Sequence, residues 1–174
     1  MGKVLLGFIL ALILIPVGGF IYLRFGHPPV AVSDPAFPHE KQIVHIALNA
    51  RIDREMPKAA PFGTSEEVFE TGARVYHAQC SACHGSLGVN SDFGGHMYPS
   101  APQLWKRHRD HVGVSDDEVG KTYWKVANGI RLTGMPSYEH VLSTTQMWDV
   151  ALLLKNADQP LPDPVTAILK QPLQ

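Results

Sequence analysis

Residues 4–23 form an uninterrupted apolar run without a single charge. Twenty residues at about 1.5 Å rise are enough to cross the ~30 Å hydrocarbon core of a bilayer. Lys3 precedes the run and places the amino terminus in the cytoplasm by the positive-inside tendency, although Arg24 on the far side weakens that signal. The pattern predicts a single-pass anchor over residues 1–25, with the rest of the chain outside.

A cleaved signal peptide is the alternative interpretation of the same run. Such peptides have an apolar region of about 7–15 residues that ends at a cleavage site of small residues. The residues that stand where that site belongs are Phe20, Tyr22, Leu23, Arg24 and Phe25. The large side chains favour a retained anchor, and retention itself stays a prediction.

Prolines mark both edges of residues 26–62, which predicts a semi-rigid tether. Between these edges, residues 40–54 have helical spacing. Two interpretations stay open, a short docking helix or a solvated spacer. The residues expected near one face of that helix are Ile43, Ile46, Ala47, Ala50 and Arg51.

Three further apolar patterns of helical period each follow a capping-box signature, a Ser or Thr three residues before Glu or Gln. Residues 85–95 and 129–136 between them are rich in turn residues and lack alternating strands. We therefore expect an all-α domain of three or four helices over residues 63–160, followed by a Pro-rich surface tail over residues 161–174. The three signatures are Thr64 with Glu67, Ser115 with Glu118, and Ser143 with Gln146.

The composition excludes some classes of protein. A formal net charge of -1 provides no basic field for nucleic acid. The two cysteines lie within one pentapeptide, which disfavours a disulfide framework. Without its terminal segments the chain keeps roughly a hundred residues, so a large cofactor can form much of the core.

The pentapeptide Cys80-Ser81-Ala82-Cys83-His84 is the C-x-x-C-H signature of c-type haem attachment. At a helix end, residues three apart share one face, so both thiols can reach the two vinyl groups of one porphyrin. The imidazole that follows then reaches the iron. The motif predicts one covalent haem c, with thioethers at Cys80 and Cys83 and an axial ligand at His84. Because it occurs once, a multihaem chain is excluded.

Two other interpretations of this motif are weaker. A thioredoxin-like C-x-x-C needs a preceding strand, whereas a helix is predicted here. A structural zinc site needs four ligands, and the only additional pair at metal spacing is His108 with His111, in a strongly charged segment typical of a solvated surface.

Electron transfer requires a sixth iron ligand, and a thioether raises the potential by favouring Fe(II). Met135 is the best candidate, because Gly134 and Pro136 fix an extended backbone that can project its sulfur inwards. Met97 on a glycine-rich loop, a histidine or an open site remain alternatives. Met147 lies in the last helix, where core packing is the default.

From about residue 63 to residue 157 the sequence resembles a class I bacterial cytochrome c. The resemblance rests on a combination of motifs and implies the cytochrome c fold around one haem. It also implies that Gly72 lets the first and last helices of the domain cross closely, and that the Pro102 carbonyl accepts the axial histidine's ring N–H. The matching residues are Gly72, Tyr76, Gly85, Gly88, Pro102, Leu104, Gly134, Met135, Pro136 and Trp148.

Arg131 and Trp105 are candidate donors to the haem propionates, because buried carboxylates need partners. A surface or packing role is the alternative for each. The domain holds eight Lys and Arg against eleven Asp and Glu, so no lysine-ringed docking face is evident.

These features predict an electron carrier rather than an enzyme, either a mobile shuttle or a cytochrome subunit of a respiratory oxidoreductase. The expected partners are a quinol-oxidising complex, a terminal oxidase or a dehydrogenase. The expected location is a bacterial inner membrane, with the haem domain on the periplasmic side. A haem-based sensor or peroxidase with an open sixth position is the alternative.

Overall fold

The computed structural model describes residues 1–173, and its regular structure is helical, with no strand in that range. The prediction of an all-α fold is therefore confirmed. The chain divides into two compact units, Met1–Glu40 and Lys41–Gln174. The helices are α1 (Gly2–Phe25), α2 (Glu40–Glu55), α3 (Glu66–Gln79), α4 (Ser81–His84), α5 (Asp92–Gly95), α6 (Val119–Asn128), α7 (Thr144–Lys155) and α8 (Asp163–Leu169).

The first unit consists mainly of α1, which coincides with the predicted anchor. No residue of α1 is buried, although the helix is almost entirely apolar. Its 24 residues span about 36 Å at the usual helical rise. The length and composition of α1 are sufficient to cross a membrane.

In the second unit, α2 forms where the sequence predicts a helix, but the buried residue is not one of those grouped on the predicted face. Ile43 and Ile46 are 61% and 71% exposed, whereas Ile52 is fully buried. The last turn packs against α6, because the Trp124 indole N–H donates to the Glu55 carboxylate at 3.0 Å. The helix is thus docked at its carboxyl end and solvated along the rest, which combines the two interpretations left open.

The three capping predictions have different outcomes. The box of Ser143 and Gln146 forms completely at the start of α7. Helix α3 is capped by Ser65, which accepts from the Val68 N–H, and Thr64 lies one residue too early. The box at Ser115 does not form, since its hydroxyl accepts from the Val112 N–H and α6 begins after Glu118.

The core lies where α3 crosses α7. Gly72 is in contact with the α7 backbone, since a Cβ there would meet the Asp149 carbonyl oxygen at 2.5 Å. The close crossing implied by the resemblance is therefore present. It brings Tyr76 and Leu153, both fully buried, into the centre of the domain.

The carboxyl-terminal segment, expected to be a Pro-rich surface tail over residues 161–174, instead forms helix α8 and packs against the domain. Pro164 occupies the first turn of α8, a position that proline tolerates because the first helical N–H groups lack partners. Val165 and Leu169 are fully buried, and α8 packs on α3. The prolines mark a helix start here, and the segment belongs to the core.

Candidate functional site

The C-x-x-C-H motif lies at the point where α3 ends. Cys80 closes α3, and the single turn of α4 follows with the His84 N–H donating to the Cys80 carbonyl at 2.9 Å. Cys80, Cys83 and His84 all line one cavity. Burial, followed by the nearby Cys83 sulfur, raises the pKa of the Cys80 thiol to about 12. The thiol is therefore protonated at neutral pH.

The imidazole of His84 has a defined orientation. Its Nδ1 lies 2.8 Å from the Pro102 carbonyl oxygen. A carbonyl only accepts, so Nδ1 carries the proton and Nε2 keeps its lone pair. Burial lowers the pKa of His84, against the opposing effect of the Pro102 hydrogen bond, and this favours the neutral imidazole that binds metals.

The backbone around His84 is held by several groups. The Tyr76 hydroxyl donates to the Gly85 carbonyl at 2.8 Å. The Gln103 amide donates to the Cys83 carbonyl at 3.2 Å, and the Leu104 N–H donates to the His84 carbonyl at 3.1 Å. Residues 102–104 thus fix both the ring and the main chain of the motif.

Met135 lies on the opposite loop and lines the same cavity. Its N–H donates to the Thr133 hydroxyl at 3.1 Å, and its carbonyl accepts from the Ile130 N–H at 3.2 Å. Met97 also lines the cavity, and its terminal methyl packs against Gly134 so closely that a Cβ there would overlap it. Both candidate sulfur ligands therefore reach the site, whereas Met147 is buried in the core.

A protein-family model described as "Cytochrome C oxidase, cbb3-type, subunit III" matches residues 67–154, just over half of the chain. The chain belongs to this family. No curated protein sequence matches it. Membership establishes a class I c-type cytochrome that carries covalently bound haem c. The protein is therefore an electron-transfer cytochrome, as a carrier or as an oxidase subunit.

The cavity of this cytochrome fits a porphyrin. Its wall is almost entirely apolar, which suits the face of a macrocycle, while the two thiols and the imidazole stand together on one side. The apolar wall includes Pro99, Val114, Val126, Ile130, Val150 and Leu154.

The two candidate propionate donors differ in their surroundings. Trp105 is 7% exposed, and its indole N–H makes no well-aligned hydrogen bond among the described residues, although the Tyr76 side chain lies against it. It follows Leu104, which lines the cavity, so this donor lies close to the site. Arg131 is exposed and does not line the cavity.

Sequence reasoning missed Lys125, a cation on the cavity wall of the cytochrome. Lys125 and Thr122 lie three residues apart on α6 and both line the cavity. Burial lowers the pKa of the Lys125 ammonium, and Asp117, whose carboxylate lies 3.4 Å from Nζ, opposes that shift. The helical spacing of Thr122 and Lys125 beside Val126 is the signal that could have identified it.

Proposed function

We propose that this cytochrome is a membrane-anchored, single-haem electron carrier whose haem is bound through thioethers at Cys80 and Cys83 and ligated by His84 and Met135. The haem supplies one-electron Fe(II)/Fe(III) cycling when bound. The observation that carries the assignment is the His84 imidazole, which lines the cavity, is oriented through Nδ1 and is free at Nε2. With His84 as one ligand, the Met135 sulfur would fill the sixth position of the iron, and a filled position favours electron transfer over the binding of small molecules.

The remaining polar groups have supporting roles in this proposal. Pro102 positions the His84 ring and keeps the proton on Nδ1. Trp105 and Lys125 donate to the haem propionates, since each presents a donor in or beside an apolar cavity. Arg131 has no such role in this proposal, because its side chain is exposed and does not line the cavity.

Haem attachment is tested by denaturing the purified protein and measuring pyridine haemochrome. One haem per chain should stay bound, because thioethers survive unfolding. Haem that is extracted by acidified organic solvent would contradict the assignment. A low-spin spectrum with an iron–thioether charge-transfer band supports a methionine ligand, whereas rapid carbon monoxide binding would support the sensor or peroxidase.

Helix α1 acts in this proposal as a retained single-pass anchor that keeps residues 63–160 on the periplasmic side of the inner membrane. Tethering raises the effective concentration of the domain near membrane complexes. The protein should stay with membranes after high-salt and carbonate washing. Amino-terminal sequencing that begins near Gly26 would instead identify a cleaved signal peptide.

The proposed partners are a quinol-oxidising complex, a terminal oxidase or a dehydrogenase. The family description, an oxidase subunit, supports a position within a respiratory complex. Solubilisation in mild detergent separates the two arrangements, because a subunit co-purifies at fixed stoichiometry and a shuttle does not.

A further inference from the structure

Residues 106–112 form a small hairpin that we call the basic hairpin. Arg107 and Val112 pair as an isolated antiparallel bridge. The His108 N–H donates to the His111 carbonyl at 2.8 Å, and the Gly113 N–H donates to the Lys106 carbonyl at 3.0 Å. The turn is therefore held by its own backbone bonds.

The cations of the basic hairpin differ from most others in the haem domain. Arg74, Lys121, Lys125 and Lys155 each bind a carboxylate or a carbonyl oxygen. The side chains of Lys106, Arg107 and Arg109 are exposed and have no hydrogen bond or ion pair within residues 1–173. Asp110, the one carboxylate in the hairpin, bonds to His111 instead. A domain that is acidic overall thus presents three clustered, exposed cations on this hairpin.

The base of the hairpin is joined to the haem site. Leu104 lines the cavity, and its N–H donates to the His84 carbonyl. Trp105 and Val112 are buried beneath the hairpin. A protein held by Lys106, Arg107 and Arg109 therefore lies close to the histidine side of the cavity.

We propose that the basic hairpin is the docking surface for an acidic face of the redox protein that exchanges electrons with this haem. The inference rests on the proposed electron-transfer function and names the surface that the partner uses. Complementary charge steers encounter and fixes orientation more than it adds affinity. The net charge of the domain does not reveal this surface, because its eleven carboxylates outnumber the three clustered cations.

A protein face fits the hairpin better than anionic lipid. Peripheral lipid binding combines basic residues with apolar side chains that enter the bilayer surface. Residues 106–110 are all charged or histidine, and the neighbouring apolar residues Trp105 and Val112 are buried.

The test uses the full-length, haem-loaded protein and two triple variants that each lose three positive charges. The hairpin variant is Lys106→Gln/Arg107→Gln/Arg109→Gln. The matched control replaces three exposed cations elsewhere, Lys58→Gln/Arg74→Gln/Lys170→Gln. Haem content, spectrum and reduction potential are measured first. A missing or high-spin haem in the wild type would defeat the proposed function, and that readout does not depend on the hairpin.

The rates of oxidation by small charged oxidants then report the electrostatic potential at the surface near the haem. Oxidation of the reduced protein by hexacyanoferrate(III), an anion, should be about threefold to tenfold slower in the hairpin variant at low ionic strength, within the range of electrostatic steering. The difference should shrink as salt rises and reverse for the cation tris(phenanthroline)cobalt(III). The control should stay within about twofold of wild type because isolated surface charges contribute little. Equal effects in both variants would overturn the proposal.

Measurements in native membranes and in lipid vesicles distinguish a protein partner from anionic lipid as the group that binds the basic hairpin. Quinol-driven oxygen uptake, at matched haem content, should fall by a similar factor in membranes with the hairpin variant only; unchanged uptake would overturn the proposal. For lipid, the full chain is placed in vesicles of phosphatidylcholine with or without one third phosphatidylglycerol. If anionic vesicles abolish the difference in hexacyanoferrate rate, lipid covers the hairpin and the proposal is wrong.

Discussion

The two sides of the cavity are built in different ways. On the histidine side, Pro102 orients the His84 ring and the neighbouring backbone carbonyls are bonded to Tyr76, Gln103 and Leu104. On the methionine side, Met135 lies in a short loop whose Leu132 is 92% exposed and has a positive φ of 62°. On the histidine side, hydrogen bonds hold the backbone carbonyls of the motif, whereas on the methionine side Met135 lies in an exposed loop packed against the Met97 side chain.

Gly94 and Gly134 show how the two sides of the cavity differ in what surrounds them. A Cβ at Gly94 would overlap the Cys83 carbonyl, which is backbone and has little freedom to move. A Cβ at Gly134 would overlap only the terminal methyl of Met97, which has three rotatable bonds. At these two positions the histidine side is the less tolerant, because the group next to Gly134 is a flexible side chain.

The largest expected effect is on the covalent bond itself. Cys80→Ala or Cys83→Ala should leave little mature protein, because each variant can form only one of the two thioethers that attach the haem. Haem staining of a denaturing gel measures this loss. Ala82→Ser, between them and exposed, serves as the control and should mature normally. Full retention of haem by both cysteine variants would contradict the role of the motif.

The glycine pair tests the comparison directly. Gly94→Ala should lower the free energy of unfolding by about 3 kcal/mol or prevent maturation, because the main chain must shift, while Gly134→Ala should cost about 1 kcal/mol or less. Denaturant unfolding of the haem-loaded proteins measures both. Equal losses would show that the methionine loop is as rigid as the histidine side.

Loss of the sixth ligand should act on the iron rather than on the fold. Met135→Ala should lower the reduction potential by on the order of 0.1 V, within the ~0.8 V that axial ligands span, and should permit carbon monoxide binding. Met97→Ala should change neither property appreciably. Persistence of the thioether band in Met135→Ala and its loss in Met97→Ala would move the ligand to Met97.

The smallest effect concerns Asp149, which is 3% exposed and has an unpaired carboxylate oxygen among the described residues. Burial, followed by the Glu67 charge, raises the pKa of this carboxyl above 3.8. The stability it contributes is thus complete below about pH 3.8 and is lost as pH rises through the folded-state pKa. Asp149→Asn should therefore stabilise the protein at neutral pH by about 1 kcal/mol, and less near pH 4.

Thermal unfolding at several pH values checks this sign. Asp110→Asn provides the opposite case, because the hydrogen bond from His111 lowers the pKa of Asp110. The stability that the Asp110 carboxylate contributes is present above its pKa in the unfolded chain and is lost as pH falls through its lower pKa in the folded protein. Neither variant should alter the reduction potential, and a shift in Asp149→Asn would show that the α3–α7 crossing is coupled to the haem.

Local signals explain which parts of this fold the sequence predicts. The capping box at Ser143 and the apolar run of α1 are encoded within a few residues, and both form. The buried face of α2 and the burial of α8 depend on distant neighbours, namely Trp124 for Glu55 and α3 for Leu169. Lys125 is a different case, because its helical spacing from Thr122 and Val126 is a local signal that places all three on the face of α6 that lines the cavity.

Helix α8 also affects the order of events during maturation. Its Leu169 carbonyl accepts from the Ser86 hydroxyl and the Leu87 N–H, and Ser86 and Leu169 are 83 residues apart in sequence. A chain that emerges amino terminus first exposes the C-x-x-C-H motif long before that carbonyl arrives. The bonds from Ser86 and Leu87 to Leu169 therefore form only after nearly all of the chain has been made, later than the bonds by which Tyr76 and Gln103 hold the backbone of the motif.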